Sequence, residues 1–341
     1  MAKQALAATP MAFIRTMVVA YEKYGVDPAG ALERAGIAAQ QLQEPDARIT
    51  AAQLETFSET AMRQLDDEAL GWFSRRLPWG SYGMLCRASL TAPNLGVALK
   101  RWCRHHRLLA DDVLLTLRVA ADRAELVIEE QRPIDPRLRE FCLLSLLRNM
   151  HGYACWAIDS RIPLRAATFP HPPPPHREAY ALMFPGPVSF DAPVASIGFD
   201  AGYLALPQRR DEAALRTMLK RALVLMVLQY RHDRLVVQRV RELLLAHPTA
   251  EALADALNIS VRTLHRQLRS EGTSLQEQKD RVRRDLAIEL LLRTTRSVKQ
   301  IARAASFRNE KSFTRAFRQW TGDSPSEYRH KLGADARPTP H

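Results

Sequence analysis

Several features that mark enzymes are scarce or missing in this chain of 341 residues. It has only 14 glycines, and none of them builds a loop that could cradle a phosphate group. A nucleophile beside a base, or a pair of acidic residues, does not occur at a spacing suited to catalysis. We therefore predict that the chain is not an enzyme and needs no cofactor.

Metal-binding patterns are scarce as well. Four cysteines lack the spacing of a metal site and fall in helical patterns beside leucines: Cys86, Cys103, Cys142 and Cys155. We expect all four to be buried, reduced thiols, as in a cytosolic protein. His171 and His176 could form a metal clamp, but the four prolines between them hold the imidazoles apart on an extended segment. No metal site is predicted.

Long apolar runs are also missing, and none reaches the roughly 20 residues that a membrane helix needs. Lys3 and Arg15 interrupt the first apolar stretch, so we expect no signal peptide, no membrane partner and a cytoplasmic protein. What the chain has in excess is positive charge, with a formal net charge of +12. Basic charge alone suits either nucleic acid or an anionic membrane surface, so sequence motifs must decide between them.

The last quarter of the chain contains two copies of one helical pattern, at residues 253–268 and 301–317. Each copy opens with an apolar residue and a small alanine, turns, and continues with a capped second helix. The equivalent positions are Leu253-Ala254 and Ile301-Ala302 at the opening, Asn258-Ile259 and Ser306-Phe307 at the turn, Ser260 and Asn309 at the cap, and Leu264, Leu268, Phe313 and Phe317 on the buried stripe. The repeat predicts a tandem pair of helix-turn-helix units.

The second helix of each unit is predicted to point a polar face outward. That face carries the residues that we expect to contact DNA: Arg262, Thr263, His265, Arg266 and Arg269 in the first unit, and Glu310, Lys311, Ser312, Thr314, Arg315 and Arg318 in the second. Such helices enter the major groove, where arginine can pair with guanine and glutamate can accept from cytosine. Solvation of two amphipathic helices would also explain these charges, but caps and basic faces recur in both units. Double-stranded DNA is the predicted partner.

A continuous helical pattern over residues 275–293 joins the two units, with Leu286, Ile288, Leu290 and Leu291 expected to contact both of them. At 1.5 Å per residue it would span about 28 Å, close to the roughly 34 Å between successive major-groove faces of a duplex. From Pro248 onward, 18 lysines and arginines stand against 11 aspartates and glutamates. DNA binding by this basic region should therefore weaken steeply with salt.

Residues 233–331 resemble the DNA-binding domain of AraC/XylS-type transcription regulators. The matching strings are Ser-Val-Arg-Thr-Leu-His-Arg-Gln-Leu at 260–268, Ile-Ala at 301–302, Phe-Thr-Arg-Ala-Phe at 313–317 and Gly-Asp-Ser-Pro-Ser-Glu-Tyr-Arg at 322–329. The resemblance implies base contacts from Arg262, His265, Arg266, Glu310, Lys311, Thr314 and Arg315. Ser306 departs from the family, which usually has glycine in the second turn. If that position needs a positive φ angle, the serine is slightly strained.

The segment before about residue 206 has the pattern of an α+β fold. Helices are predicted over residues 11–24, 29–35, 51–65, 70–76, 84–90, 95–109 and 136–158. Between the last two, Leu115, Leu117 and Val119 alternate with polar residues, and a second alternating run follows a turn near Asp122, which predicts a hairpin. Further short strands are predicted at 166–169, 188–190 and 195–200. An antiparallel sheet backed by helices fits this order better than a doubly wound parallel fold.

Residues 25–206 also resemble the arabinose-binding-type ligand domain of one branch of the same regulators. Matching pieces include Ala-Gly-Ile at 35–37, Tyr-Gly-Met-Leu at 82–85 and Gly-Pro-Val-Ser-Phe at 186–190. The resemblance implies a sensor that binds a small-molecule effector and helps the protein to form a homodimer. It does not imply that the ligand is arabinose.

Candidate effector contacts lie on helices expected to border the sheet: Arg87, Arg104, His105, Arg148 and Trp156, with Arg101 beside them. An arginine there could hold a carboxylate through paired hydrogen bonds, while Trp102 or Trp156 covers an apolar tail. Solvated helix faces would explain most of these arginines as well.

The resulting division has an effector-binding and dimerisation domain at 1–210, a helical linker at 211–232, a DNA-binding domain at 233–331 and a disordered tail at 332–341. Between Ala222 and Leu228 the linker is apolar nearly all round. A helix of that kind must bury more than one side. It is expected to pack either between protomers or against its own sensor domain.

We predict an effector-responsive transcription activator that binds DNA as a dimer and contacts RNA polymerase. Two alternatives stay open at this point. In the first, the N-terminal domain is only a dimerisation scaffold and DNA binding is constitutive. In the second, it is an enzyme attached to a DNA-binding domain, for example one that repairs alkylated DNA, although that chemistry would need a reactive cysteine in a dedicated motif.

Overall fold

The computed structural model describes residues 9–220 and 233–335. The chain divides into two compact units, residues 1–231 and residues 232–341. Across the helices within those described ranges, none is long and apolar enough to cross a membrane.

Side-chain caps set where the main helices of the N-terminal unit begin. Asn94 accepts a hydrogen bond from the Val97 N–H at 3.0 Å, and Asp135 accepts one from the Arg137 N–H at 2.9 Å. In chain order the helices are α1 (Ala12–Tyr24), α2 (Ala29–Arg34), α3 (Ala51–Gln64), α4 (Ser81–Leu90), α5 (Leu95–Leu109), α6 (Pro136–Ile158), α7 (Glu178–Met183) and α8 (Glu212–Leu219). Short 3-10 turns lie at Ala39–Gln43 and Ala201–Ala205.

The strands of this unit form one short pair and one larger sheet. In chain order they are β1 (Thr9–Pro10), β2 (Arg48–Ile49), β3 (Val113–Ala120), β4 (Arg123–Glu130), β5 (Leu164–Thr168), β6 (Val188–Ser189) and β7 (Ala195–Asp200). β1 pairs with β2, and the larger sheet has the order β3-β4-β7-β5-β6. Its pairings are antiparallel except that between β5 and β6.

The predicted hairpin is confirmed. Leu115 pairs with Ile128, and Leu117 pairs with Leu126. The chain reverses at Ala121, whose φ of 42° lies in the left-handed region. Helix α5 contacts β3 and helix α6 contacts β7, so the mainly antiparallel sheet is backed by helices as predicted.

The predicted helix over residues 70–76 is wrong. A buried carboxylate organises this segment instead, because Asp67 accepts hydrogen bonds from the N–H groups of Ala69 at 3.0 Å, Gly71 at 2.7 Å and Leu77 at 2.9 Å. Gly71 has a φ of 80°, which no α-helix contains. Apolar periodicity does not reveal that a side chain takes over the backbone hydrogen bonds.

Other helix boundaries also differ from the prediction. The short helix α7, with six residues, was not predicted. Helix α8 covers the start of the helical linker predicted at 211–232, and residues 221–232 lie outside the described residues. The last helix of the chain continues to Asp335, into the segment predicted as a tail, and residues 336–341 also lie outside the description.

The cysteines behave as structural residues. All four are buried and free, as predicted. Burial raises the pKa of the Cys103 thiol and of the Cys155 thiol to about 12, so both are protonated and poorly nucleophilic at neutral pH. Within residues 9–220 and 233–335, no three histidine, cysteine or acidic side chains are grouped so that they could hold a metal ion.

The described part of the C-terminal unit is all-helical, as predicted. Its helices are α9 (Arg234–Leu243), α10 (Ala250–Ala256), α11 (Val261–Ser270), α12 (Leu275–Arg293), α13 (Val298–Ala304), α14 (Glu310–Thr321) and α15 (Pro325–Asp335). Two separate apolar clusters form its core. The first gathers around Leu253, Leu264 and Leu268, and the second around Phe313 and Phe317.

Helix α12 contributes to both clusters as predicted, but none of the predicted residues reaches the first cluster. Ile288, Leu290 and Leu291 all belong to the second cluster. The first cluster receives Leu275 and Val282 from the other half of the helix. Because α12 is 19 residues long, one half of it packs against the first cluster and the other half against the second. Leucines in one half therefore cannot contact both clusters.

Replacing Asp67 by asparagine tests the buried carboxylate. Asp67 is fully buried and also accepts the Tyr24 hydroxyl at 2.7 Å. An amide offers one oxygen instead of two, so we expect the free energy of unfolding to fall by about 2–3 kcal/mol. Urea unfolding followed by tryptophan fluorescence measures the loss. Asp66→Asn is the matched control, because Asp66 is exposed and its side chain accepts only the Trp79 N–H among the described residues. Equal losses in the two variants would contradict this account.

Candidate nucleic-acid interface

The first helix-turn-helix unit is built from α10 and α11. Between them the chain turns at Asn258, whose φ is 53°, and the Ile259 N–H donates to the Ala254 carbonyl at 2.9 Å. The Ser260 hydroxyl then accepts the Thr263 N–H at 3.1 Å and starts α11. Both the turn and the cap fall where the sequence placed them.

The second unit repeats this geometry with α13 and α14. Ser306 has a φ of 59°, and the Phe307 N–H donates to the Ala302 carbonyl at 2.9 Å. Asn309 accepts the Ser312 N–H at 2.8 Å and caps α14. The second turn therefore does require the left-handed conformation in which serine is strained.

An arginine from α12 supports this strained turn. The Arg283 guanidinium donates to the Ser306 carbonyl at 3.3 Å and lies over the Phe307 ring at 5.0 Å from its centroid. These contacts hold the turn against the connecting helix. The sequence analysis missed Arg283, because its distance from Ser306 along the chain hides the contact.

The buried stripes dock each second helix against its first. Leu264 and Leu268 are fully buried in one unit, and Phe313 and Phe317 are fully buried in the other. Ala254 and Ala302 are also almost completely buried. Small side chains at these two positions allow the helices to approach closely, as the sequence predicted.

The opposite faces of α11 and α14 carry the predicted DNA contacts. Most of these side chains are exposed: Arg262, His265, Arg266, Arg269, Glu310, Lys311, Ser312, Arg315 and Arg318. Thr263 and Thr314 are half-buried. In the second unit, five of the predicted residues line one open depression: Glu310, Lys311, Thr314, Arg315 and Arg318. The fold thus brings the members of each set onto one helix surface.

Some cationic side chains of this surface already form hydrogen bonds or ion pairs within the protein, and others do not. Arg269 donates to the His265 carbonyl at 3.4 Å, and Arg318 lies 3.9 Å from the Glu327 carboxylate. Four others make no hydrogen bond or ion pair with the described residues: Arg262, Arg266, Lys311 and Arg315. Their donors are available to an external acceptor such as a base edge or a phosphate.

The five candidate effector residues are spread over α4, α5 and α6. Arg87 pairs with Glu212 at 2.8 Å, while Arg104 is exposed and His105 is half-buried. Arg148 donates to the Met183 carbonyl, and burial lowers its pKa. Trp156 is 5% exposed, with the Arg210 guanidinium 5.8 Å from its ring centroid. Arg87, Arg148 and Trp156 therefore hold parts of this unit together, and all five remain predictions as ligand contacts.

Two helix-turn-helix units with basic outer faces define the C-terminal unit as a DNA-binding module. Comparison with known families agrees, since residues 253–331 match a helix-turn-helix domain. Residues 25–208 match the N-terminal arabinose-binding domain of AraC transcription regulators. Because that match spans more than half of the chain, the protein belongs to the AraC family of DNA-binding transcription regulators.

Individual relatives are transcription regulators rather than enzymes, as predicted. The chain is 29% identical to the ornithine utilization regulator of Pseudomonas aeruginosa over 325 residues, which cover 94% of this chain and 96% of that protein. Its last part is 40% identical over 87 residues to the transcriptional activator RhaS of Escherichia fergusonii, covering 25% of this chain and 31% of RhaS.

Solved structures with detectable similarity include two regulators. The DNA-binding domain of AdpA in complex with a target DNA is 30% identical, with a TM-score of 0.27, and the match covers 29% of this chain and 95% of that one. The regulator CdpR from Pseudomonas aeruginosa is 22% identical, with a TM-score of 0.33, covering 89% of this chain and 96% of that one.

Replacing Ser306 by glycine should stabilise the C-terminal unit. Glycine adopts a positive φ without the clash that serine suffers, but it loses more conformational freedom on folding, which leaves a net gain of about 0.5–1 kcal/mol. Thermal unfolding of the full-length variant measures the change. Ser306→Ala is the control, because alanine is equally strained at this φ. A stabilisation by alanine as large as that by glycine would show that the backbone conformation is not the cause.

Truncating Arg266 or Arg315 to alanine should weaken specific DNA binding. If each guanidinium pairs with a base, the loss is about 1–3 kcal/mol on a site selected by the protein from random sequences. Fluorescence anisotropy on the selected site and on unrelated DNA separates base contacts from phosphate contacts. Arg293→Ala, an exposed residue of α12 paired with Glu289, is the matched control. Equal losses on both kinds of DNA would contradict base recognition.

Proposed function

We propose that this transcription regulator is an activator controlled by a small-molecule effector. The observation that carries the DNA-binding part is the pair of capped helices α11 and α14. Four of their cations have no acidic partner among the described residues: Arg262, Arg266, Lys311 and Arg315. The match of residues 25–208 to an arabinose-binding domain supports effector control. The relatives' names support activation and metabolic control, since one is a transcriptional activator and another regulates ornithine utilization.

In this proposal the DNA-binding domain of each protomer contacts two neighbouring segments of the major groove, one with each helix-turn-helix unit. Arg262, Thr263, His265, Arg266 and Arg269 would contact one segment, and Glu310, Lys311, Ser312, Thr314, Arg315 and Arg318 the next. The length of α12, 19 residues or about 28 Å, supports a spacing near one helical turn of DNA. Arginine and lysine would bind guanine or phosphate, and Glu310 would accept from cytosine.

We further propose that the protein acts in the cytoplasm as a homodimer and contacts RNA polymerase when bound to DNA. The effector would shift the population between two arrangements of the sensor domain and the linker. That shift would change how two DNA-binding domains reach adjacent half-sites. The domain bounds 1–210, 211–232 and 233–331 belong to this proposal.

Salt and metabolite titrations test the proposal together. Binding of the full-length protein to its selected site should weaken by about a thousandfold between 50 and 200 mM salt if about six phosphates are contacted. At fixed salt, at least one member of a panel of amino acids, carboxylic acids and fatty acids should change the DNA affinity. If none does, and none changes thermal stability, the N-terminal domain is a dimerisation scaffold and effector control is wrong.

A further inference from the structure

A cavity of about 400 Å³ lies in the N-terminal unit, between the end of α3, the loop that enters α4, and α8. Its volume falls in the range of sites that enclose a small organic molecule. Met62, Trp79, Tyr82 and Leu219 form its apolar wall. None of the five effector residues predicted from the sequence lines it.

The charged residues of this cavity favour an anion. Arg63, Arg216 and Lys220 line it, and among the described lining residues the one acid is Glu68. Arg63 is paired with Glu59 at 3.0 Å and Arg216 with Glu212 at 3.4 Å. The side-chain ammonium group of Lys220, at the end of α8, has no hydrogen bond or ion pair with any residue in the described ranges. A positive charge at this end of the cavity is therefore left for a ligand.

Glu68 is poorly placed to balance a positively charged ligand. Its two carboxylate oxygens accept the N–H groups of Gly80 at 2.7 Å and Tyr82 at 2.6 Å, at the start of α4. Burial raises the pKa of this carboxyl group, so its charged form is disfavoured. An ammonium ligand would find no other acid among the described lining residues.

Aromatic rings make the middle of the cavity suitable for an apolar body. Trp79 is 41% exposed, and the Arg63 guanidinium covers one side of it at 4.2 Å from the ring centroid. Tyr82 is held edge-on against Trp102, with ring centroids 5.4 Å apart. Asn149 adds an amide that makes no hydrogen bond with the described residues. A cavity with aromatic rings in its middle, an amide and a cation at one end suits a carboxylate that carries an aromatic or similarly bulky group.

A smaller cavity of about 50 Å³ shares Glu68, Tyr82 and Asn149 with the larger one. It is lined by Trp72 and His106, whose indole N–H and two imidazole nitrogens have no hydrogen-bond partner in the described parts of the chain. Burial lowers the pKa of His106 to about 4, so the ring is neutral at pH 7. This inner end therefore suits water or a neutral polar substituent, but not a second charge.

The cavity also includes the contact between α4 and α8. A methyl group added to Gly83 would lie 3.1 Å from a Leu219 methyl carbon, and both residues line the cavity. The Arg87–Glu212 ion pair joins the same two helices. A ligand here would press on α8, the helix with which the predicted linker at 211–232 begins.

We infer that this cavity is the effector site, and that its ligand is a small monocarboxylate with an apolar, ring-sized body. The carboxylate lies near Lys220 and Arg216, and the body lies against Trp79 and Tyr82. This inference rests on the proposed effector control and adds the site and the chemical class of the ligand.

Binding of 3-phenylpropanoate to the full-length protein tests the inference without DNA. We expect a rise in melting temperature and a saturable change in tryptophan fluorescence. The neutral amide 3-phenylpropanamide should bind at least tenfold more weakly, because it lacks the charge that Lys220 attracts. L-Ornithine should also bind more weakly, because its ammonium groups meet a basic site.

Variants of Lys220 locate the carboxylate. Lys220→Gln should weaken binding of 3-phenylpropanoate at least tenfold and leave binding of 3-phenylpropanamide unchanged. Lys220→Arg keeps the positive charge and should bind 3-phenylpropanoate as the unsubstituted protein does. Arg107→Gln, an exposed residue of α5 outside the cavity, should change neither. Lys220 is exposed, and an unchanged melting temperature of ligand-free Lys220→Gln shows that the variant folds.

The possible outcomes separate this inference from the proposed function. Equal binding of acid and amide, tighter binding of ornithine, or unchanged acid binding in both Lys220→Gln and Arg216→Gln would overturn the site or its ligand class. Acid binding that depends on Lys220 but leaves DNA affinity unchanged would support the binding site and its ligand class, and would overturn its role as the effector site. Absence of acid binding, with DNA affinity that responds to another metabolite, would overturn the site alone.

Discussion

The DNA-binding unit depends on the packing of α12 into two hydrophobic cores. Leu275 and Val282 extend one cluster, while Ala287 and Leu291 complete the other. Each cluster is small, and a core of that size gives little stability alone. Because both cores share the single helix α12, the two helix-turn-helix units form one body. Neither recognition helix, α11 or α14, can therefore move without repacking apolar side chains. The same helix supplies Arg283, which supports the strained turn at Ser306.

Arginines serve different purposes in the two units. In the N-terminal unit, many pair with acids of the same unit; examples are Arg48 with Glu178, Arg87 with Glu212 and Arg165 with Asp122 and Asp200. On α11 and α14, Arg262, Arg266 and Arg315 have no such partner among the described residues. Exposed pairs contribute little to stability, so their absence on the recognition helices costs the fold little. Without acidic partners, those guanidinium groups are available to bind DNA.

Much of the architecture could be predicted because it depends on local chemistry. Caps at Ser260 and Asn309 and apolar stripes with a period near 3.6 located helices, and alternation with a period of two located the hairpin. The failure at residues 70–76 has a non-local cause, since the Asp67 carboxylate replaces the hydrogen bonds of a helix. Residue spacing also could not show that α12 touches its two cores with different halves.

The sequence by itself determined that two helix-turn-helix units lie in tandem and which side chains face outward, because caps, turns and docking stripes are set by residues within one turn of each other. Only the tertiary structure decided that Arg283 supports Ser306 and that Arg63, Glu68, Trp79, Asn149 and Lys220 line one cavity. These residues come from distant segments, and their meeting depends on how whole helices pack, which no local pattern encodes.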